Sequence, residues 1–228
     1  MELLEIPNIS LRPGQLQDIE DPESTDFEYK TINIVCLGIL KLTNTERINF
    51  ESVEKRIKVK RLNRFPCVLF KLQINPNNSI SCIVFRNGKL IITGLKSETD
   101  IPIVKDMIIA QLIEGGIEFS QLDINIQNFV VMTNLHRIVN LELACLTLNN
   151  CLYEPEQFPA AIVKMNKSTC LIFSNSKIIN LGNKTKNDVE DSLRSLIQEL
   201  FNNDLFFHLT EDSEFNFDSE EEFEGELL

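Results

Sequence analysis

Histidine is nearly missing from this chain, with only His136 and His208 among 228 residues, and no two of its six cysteines have CxxC spacing. That argues against a zinc cluster. Cys36, Cys67, Cys82, Cys145, Cys151 and Cys170 each stand among apolar neighbours, the setting of reduced, buried thiols. No apolar run approaches the eighteen or so residues of a membrane helix. The opening MELLEIPN lacks the basic residues of a secretory leader. The expectation is a protein that stays inside a cell, or inside an infected one, with no membrane partner. No P-loop and no Ser/His/Asp set can be found, so nothing points to an enzyme, a cofactor or a small-molecule substrate.

Positive charge is also scarce: 22 Lys and Arg against 34 Asp and Glu, a net charge of -12. The deficit lies at the two ends. Residues 1–30 carry eight acids against Arg12 and Lys30, and residues 210–228 carry nine acids and no base. The body between them, 31–209, has twenty bases and seventeen acids, a net charge of +3. Both ends are charge-rich and aperiodic and read as tails, so the predicted organisation is an acidic arm (1–30), two repeats (31–120 and 121–209) and an acidic tail (210–228).

The repeats are visible as three stretches that return in the same order. INIV (32–35) returns as QNFV (127–130), RFPCVLFK (64–71) as QFPAAIVK (157–164), and CIVFRNGKLIITGLK (82–96) as CLIFSNSKIINLGNK (170–184). This places Asn33 with Asn128, Phe65 with Phe158 and Phe85 with Phe173, at offsets of 95, 93 and 88. Each unit ends in a segment of helical period. The first runs from Thr99 to Glu114 with Pro102 in its opening turn; the second runs from Lys186 to Phe201, with Asn187 or Asp188 as cap. Apolar stretches near 49–57 and 140–151 suggest one small helix per unit. The predicted unit is β-α-β-β-β-β-α, two of which make an α+β domain with pseudo-twofold symmetry. Arg86-Asn87-Gly88 suits a tight hairpin, whereas Ser174-Asn175-Ser176 lacks the glycine and predicts a looser turn.

In the 82–93 hairpin both faces are apolar: Ile83, Phe85, Ile91 and Thr93 on one, Cys82, Val84, Leu90 and Ile92 on the other. Two long helices on the same side cover only one of them. The other is left for a partner.

These residues resemble the conserved core of the TATA-box-binding protein family over 31–205. The resemblance rests on an asparagine and a valine in each first strand (Asn33 with Val35, Asn128 with Val130), on two phenylalanines per repeat, on ITGLKSE (92–98) and on YEPEQFP (153–159). Divergence outside these motifs, with an Ile- and Asn-rich composition suited to an AT-rich genome, makes it similar to a remote or viral member. That would place it in the nucleus, or in a cytoplasmic viral factory or virion. The resemblance implies a saddle, a curved antiparallel sheet with helices on its convex face. The resemblance also implies wedging and bending of DNA through its minor groove.

Carried over by motif, Asn33 and Asn128 would donate to acceptors on base edges. Val35, Val130, Ile83, Ile91, Leu171 and Ile179 would press on the groove floor, a surface chemistry that favours A·T pairs. Phe65 with Phe85, and Phe158 with Phe173, would be paired wedges. Arg64, Lys71, Lys89, Lys96, Lys164, Lys177 and Lys184 match basic positions that could reach phosphates. Thr93 matches a family hydroxyl contact that Leu181 lacks in repeat two. Glu154, Pro155 and Glu156 form the stirrup where the family receives the factor that bridges to RNA polymerase. The expected function is a non-enzymatic initiation factor that binds and bends AT-rich double-stranded DNA and recruits other factors. The alternative is a protein-interaction platform of the same shape with weak or no DNA specificity, favoured by Leu181 and the acidic tails. Taken singly, a phenylalanine near a strand end reads as core, and KRIKVKRLNR (55–64) as a solvated face; only the pairing of positions between repeats argues otherwise for the phenylalanines.

Overall fold

Each repeat unit in the computed structural model, which describes residues 27–62, 65–76 and 78–207, follows the predicted order. The first comprises β1 (Tyr29–Leu42), α1 (Phe50–Glu54), β2 (Lys60–Leu62), β3 (Cys67–Asn75), β4 (Asn78–Phe85), β5 (Lys89–Leu95) and α2 (Ile101–Glu114). The second comprises β6 (Phe119–Asn134), α3 (Leu141–Thr147), β7 (Cys151–Leu152), β8 (Ala160–Lys164), β9 (Thr169–Phe173), β10 (Lys177–Asn183) and α4 (Lys186–Asn202). Residues 1–26, Asn63, Arg64, Asn77 and 208–228 lie outside the described residues, so the acidic tail, most of the arm, His208 and the phosphate candidate Arg64 are not placed. Strand β1 begins at Tyr29, inside the segment read as arm.

All ten strands form one antiparallel sheet in the order β2-β3-β4-β5-β1-β6-β10-β9-β8-β7. Read from either end, the order is the same once β1 to β5 are exchanged for β6 to β10. A pseudo-twofold therefore passes between β1 and β6, which pair from Tyr29 opposite Thr133 to Leu42 opposite Phe119.

Alternation along each strand sends every second side chain to the helix-covered face. Cys36 and Leu40 of β1, Cys82 and Val84 of β4, Leu90 and Ile92 of β5, and Ile172 and Ile178 of β9 and β10 are all buried there. They meet Val104, Ile108 and Leu112 of α2 and Val189, Leu193, Leu196 and Leu200 of α4, which recur at three- and four-residue spacing. Four of the cysteines are buried and two half-buried, all as free thiols. Burial pushes the Cys36 thiol up to about 11, so it stays protonated as packing.

Three local expectations are corrected. Helix α2 starts at Ile101, after a 3-10 turn (Glu98–Asp100) in which the Ser97 hydroxyl accepts from the Thr99 N–H at 3.2 Å. Helix α4 is capped by neither Asn187 nor Asp188 but by Thr185, whose hydroxyl oxygen accepts from the Asp188 N–H at 3.1 Å. The Asp188 carboxylate in turn accepts from the Thr185 hydroxyl at 2.5 Å and from Lys167 at 3.2 Å, and these bonds hold its pKa below the usual range. The glycine-free hairpin is no looser than its counterpart. Ser176 takes φ 72°, near Gly88's 80°, and its N–H reaches the Phe173 carbonyl at 3.2 Å where Gly88 reaches Phe85 at 3.1 Å. Asn87 and Asn175 complete both turns by accepting from the N–H of the following lysine.

Candidate nucleic-acid interface

The strand positions that alternate with the core are half-exposed, and they form the face that the helices leave open. In a ladder, residues directly opposite share a face. Leu69 pairs with Ile83, Ile83 with Ile91, and Ile91 with Leu37, making one apolar row across β3, β4, β5 and β1. Ile162, Leu171, Ile179 and Met132 make the twofold-related row across β8, β9, β10 and β6. The structure thus brings together the predicted Ile83, Ile91, Leu171 and Ile179, and adds Leu37, Leu69, Met132 and Ile162. The added four were legible as the i+2 neighbours of Val35 and Val130 and as the ladder partners of the predicted residues.

Between the rows lie the two asparagines. Asn33 stands opposite Val130, and Val35 opposite Asn128. Each amide is oriented by a neighbouring strand. The Gly94 N–H donates to Asn33 Oδ1 at 2.9 Å, and the Gly182 N–H to Asn128 Oδ1 at 2.6 Å. A carbonyl oxygen must take those bonds, so the NH2 end of each amide is turned toward the open face. Both glycines have positive φ, 101° and 103°. A Cβ on Gly94 would come within 2.7 Å of the Ser79 carbonyl oxygen, so glycine is required to aim that N–H.

Here the repeats diverge. Asn33 Nδ2 donates to Thr93 Oγ1 at 3.2 Å, so in repeat one an amide and a hydroxyl form a joint polar patch. In repeat two Leu181 takes the equivalent place, opposite Thr169 and Val130. Among the described residues nothing accepts from Asn128 Nδ2.

Phe158 and Phe173 are in edge contact, ring centroids 6.2 Å apart, with Phe158 38% exposed. Phe65 is 62% exposed in the turn before β3, and half-buried Phe85 lies opposite Cys67. Unlike the repeat-two pair, these two rings make no mutual contact among the described residues. Each pair lies at an outer part of the sheet, far from the twofold in strand order.

Lys71, Lys89, Lys164 and Lys177 occupy this face of β3, β5, β8 and β10, alternating with buried neighbours, while Lys96 and Lys184 follow β5 and β10 directly. All six are exposed, and none belongs to the ion pairs formed among the described residues, which are Arg61–Glu54, Lys167–Asp188 and Lys186–Glu98. Glu154, Pro155 and Glu156 are exposed in the loop between β7 and β8, where the Glu154 carbonyl accepts from the N–H groups of Gln157 and Phe158. One acid, Asp123, stands on the open face opposite Ile39 and was not anticipated. No group of His, Cys, Asp and Glu able to hold a metal ion occurs among the described residues.

The family model described as transcription factor TFIID, or TATA-binding protein, matches residues 28–114 and 123–203, both repeats in turn. The chain belongs to the TATA-binding protein family. It is 33% identical over 183 residues to the TATA-box-binding protein of Pyrobaculum islandicum, covering 78% of this chain and 88% of that one. Against the TATA-box-binding protein of Pyrococcus furiosus it is 37% identical over 139 residues, 60% of this chain and 71% of the relative. The solved structure of Methanococcus jannaschii TBP superposes with a TM-score of 0.67 at 27% identity, covering 77% of this chain and 99% of that one. The fold is accordingly the TATA-binding protein saddle, a curved antiparallel sheet with its helices on one side.

Proposed function

We propose that this TATA-binding protein family member is a non-enzymatic transcription initiation factor that seats the open face of its sheet in the minor groove of AT-rich promoter DNA. The observation that carries the reading is the reciprocal Asn33/Val130 and Asn128/Val35 pairing, with both amide NH2 groups turned outward. A minor groove at A·T pairs presents acceptors without the amino group of G·C. Two donors embedded in apolar surface suit that pattern, because an apolar wall tolerates a bare groove floor and not an unpaired amino group. The four phenylalanines at the outer parts of the face support kinking by partial intercalation, and the six unpaired lysines support phosphate contacts. Exposed Glu154 and Glu156, beside rigid Pro155, would recruit a partner with a basic surface.

The test is selection of bound duplexes from a random pool by the full chain at two salt concentrations, followed by energy transfer between dyes on the duplex ends. Enrichment of a short AT-rich site whose ends draw together on binding is the expected result. Recovery of no preferred site would favour a protein-interaction platform, the reading to which Leu181 and Asp123 lend support.

A further inference from the structure

The last described residues, up to Phe207, are tied to the fold. Leu205 and Phe206 are buried, Phe206 bridges to Val139, and the Phe207 N–H donates to the Ile138 carbonyl at 2.9 Å. Arg137 covers this exit, its guanidinium 4.5 Å from the centre of the Phe206 ring. Leu135, in the same connection, donates to the Ser176 carbonyl at 3.0 Å in the turn between β9 and β10. That turn directly follows Phe173, the ring in contact with Phe158. The chain therefore leaves the fold at the β6–α3 connection, which is itself bonded to the turn that follows Phe173.

Twenty-one residues follow, with nine carboxylates, no Lys or Arg, and Phe215, Phe217 and Phe223 spaced among the acids. Extended, such a segment reaches about 70 Å. Ten strands at the usual spacing span about 45 Å, so every part of the face is within reach. The face offers what the segment lacks: six exposed lysines without ion pairs, and half-exposed apolar side chains between them. Charge and apolar pattern are complementary.

We propose that residues 208–228 dock in cis on the open face, carboxylates on Lys164 and Lys177 and phenylalanine rings against Phe158, Phe173 and the Leu171–Ile179 row, so that DNA must displace them. The proposal rests on the reading of this face as the DNA surface. A tethered segment acts at an effective concentration in the millimolar range, so contacts too weak to hold a free peptide suffice. Competition falls hardest on non-specific duplexes, whose affinity comes almost wholly from phosphate contacts to the lysines that the tail would occupy. Specific sites retain their groove contacts and displace the tail. The device would sharpen promoter choice without adding a contact to DNA.

Zero-length carbodiimide coupling of the full chain, read by mass spectrometry on the monomer band, tests the docking without DNA. Links from tail carboxylates to Lys164 or Lys177, lost when duplex is added, are expected. Links to neither lysine, or links confined to a dimer band, would overturn docking in cis. In parallel, the full chain with all nine tail carboxylates changed to amides (Glu→Gln, Asp→Asn) should bind a GC-rich duplex about tenfold more tightly at low salt, with a smaller gain on an AT-rich site. Unchanged affinity for both duplexes, at unaltered thermal stability, would overturn the competition. Because the coupling is read without DNA, a chain that binds no duplex in either form yet shows the links fails the DNA reading alone.

Discussion

Asn33 of the first repeat faces Val130 of the second across the central strand pair, and Val35 faces Asn128 in return. The reciprocity is what a twofold axis between β1 and β6 requires, and it puts the two asparagine amides together at the centre of the open face. Their amides are held by backbone N–H groups of glycines in the adjoining strands, so the donor ends are oriented before any ligand arrives. Orientation in advance lowers the entropy cost of binding.

Replacing those glycines should expose this dependence. Gly94→Ala forces a Cβ within 2.7 Å of a backbone oxygen, whereas the nearest atom for Gly182→Ala is at 3.1 Å, and both positions have positive φ. We expect each to cost about 1–3 kcal/mol, with Gly94→Ala the more damaging. Chemical denaturation of both variants checks the order; equal or reversed costs would mean that strand β4 relaxes away from Gly94.

Leu181→Thr should give Asn128 the hydroxyl neighbour that Asn33 already has in Thr93. The second half-site should then discriminate A·T from G·C more strongly, by up to about 1 kcal/mol, the worth of a neutral hydrogen bond. Competition binding with duplexes substituted in one half at a time reads the effect. No change in either half would show that position 181 does not meet the bases.

Phe158→Ala with Phe173→Ala removes a ring pair that is partly exposed in the free protein. Stability should fall by about 2–3 kcal/mol, one aromatic contact plus the buried part of two half-exposed rings, and the fold should persist. Bending of bound DNA, followed by energy transfer between its ends, should be lost. A variant that melts far below the parent yet still bends DNA would assign the rings to the core.

Charge reversal at Glu154 and Glu156 alters exposed residues of the loop between β7 and β8. Binding of a basic protein partner should be lost while DNA affinity is kept. Pull-down of that partner and DNA titration, run on one preparation, separate the two. Parallel loss of both would instead indicate that the loop supports the fold.

The repeat order, the two faces of the 82–93 hairpin, and the isoleucines and asparagines at the heart of the open face were legible in the chain, because strand alternation and repetition each leave a period in sequence. Leu37, Leu69, Met132, Ile162 and Asp123 came from the strand pairing. Other features had no local signature. The cap of α4 passed to Thr185 because Lys186 already has helical geometry and pairs with Glu98 beside α2. The tight turn at Ser176 formed without glycine because Asn175 supplies a hydrogen bond and the sheet register leaves the chain no slack.

Burial in repeat two makes the same point. Where repeat one buries Ile92 and Leu95, repeat two buries Asn180 and Asn183, a residue type mostly found at the surface. Asn183 donates to Asn180 Oδ1 at 2.6 Å, and Asn180 donates to Ser192 Oγ of α4 at 2.9 Å. Buried amides are tolerable only with partners, and these partners are supplied by contacts within the folded repeat. Sequence by itself determined that two like units exist, that both faces of the 82–93 hairpin are apolar, and which side chains recur, since these follow from the order of residues along one chain. Tertiary structure alone decided that the two asparagines meet, that glycine N–H groups orient them, and that the chain leaves the fold at the connection bonded to the turn after Phe173. Each of these depends on pairing between segments distant in the chain, which fixes the register.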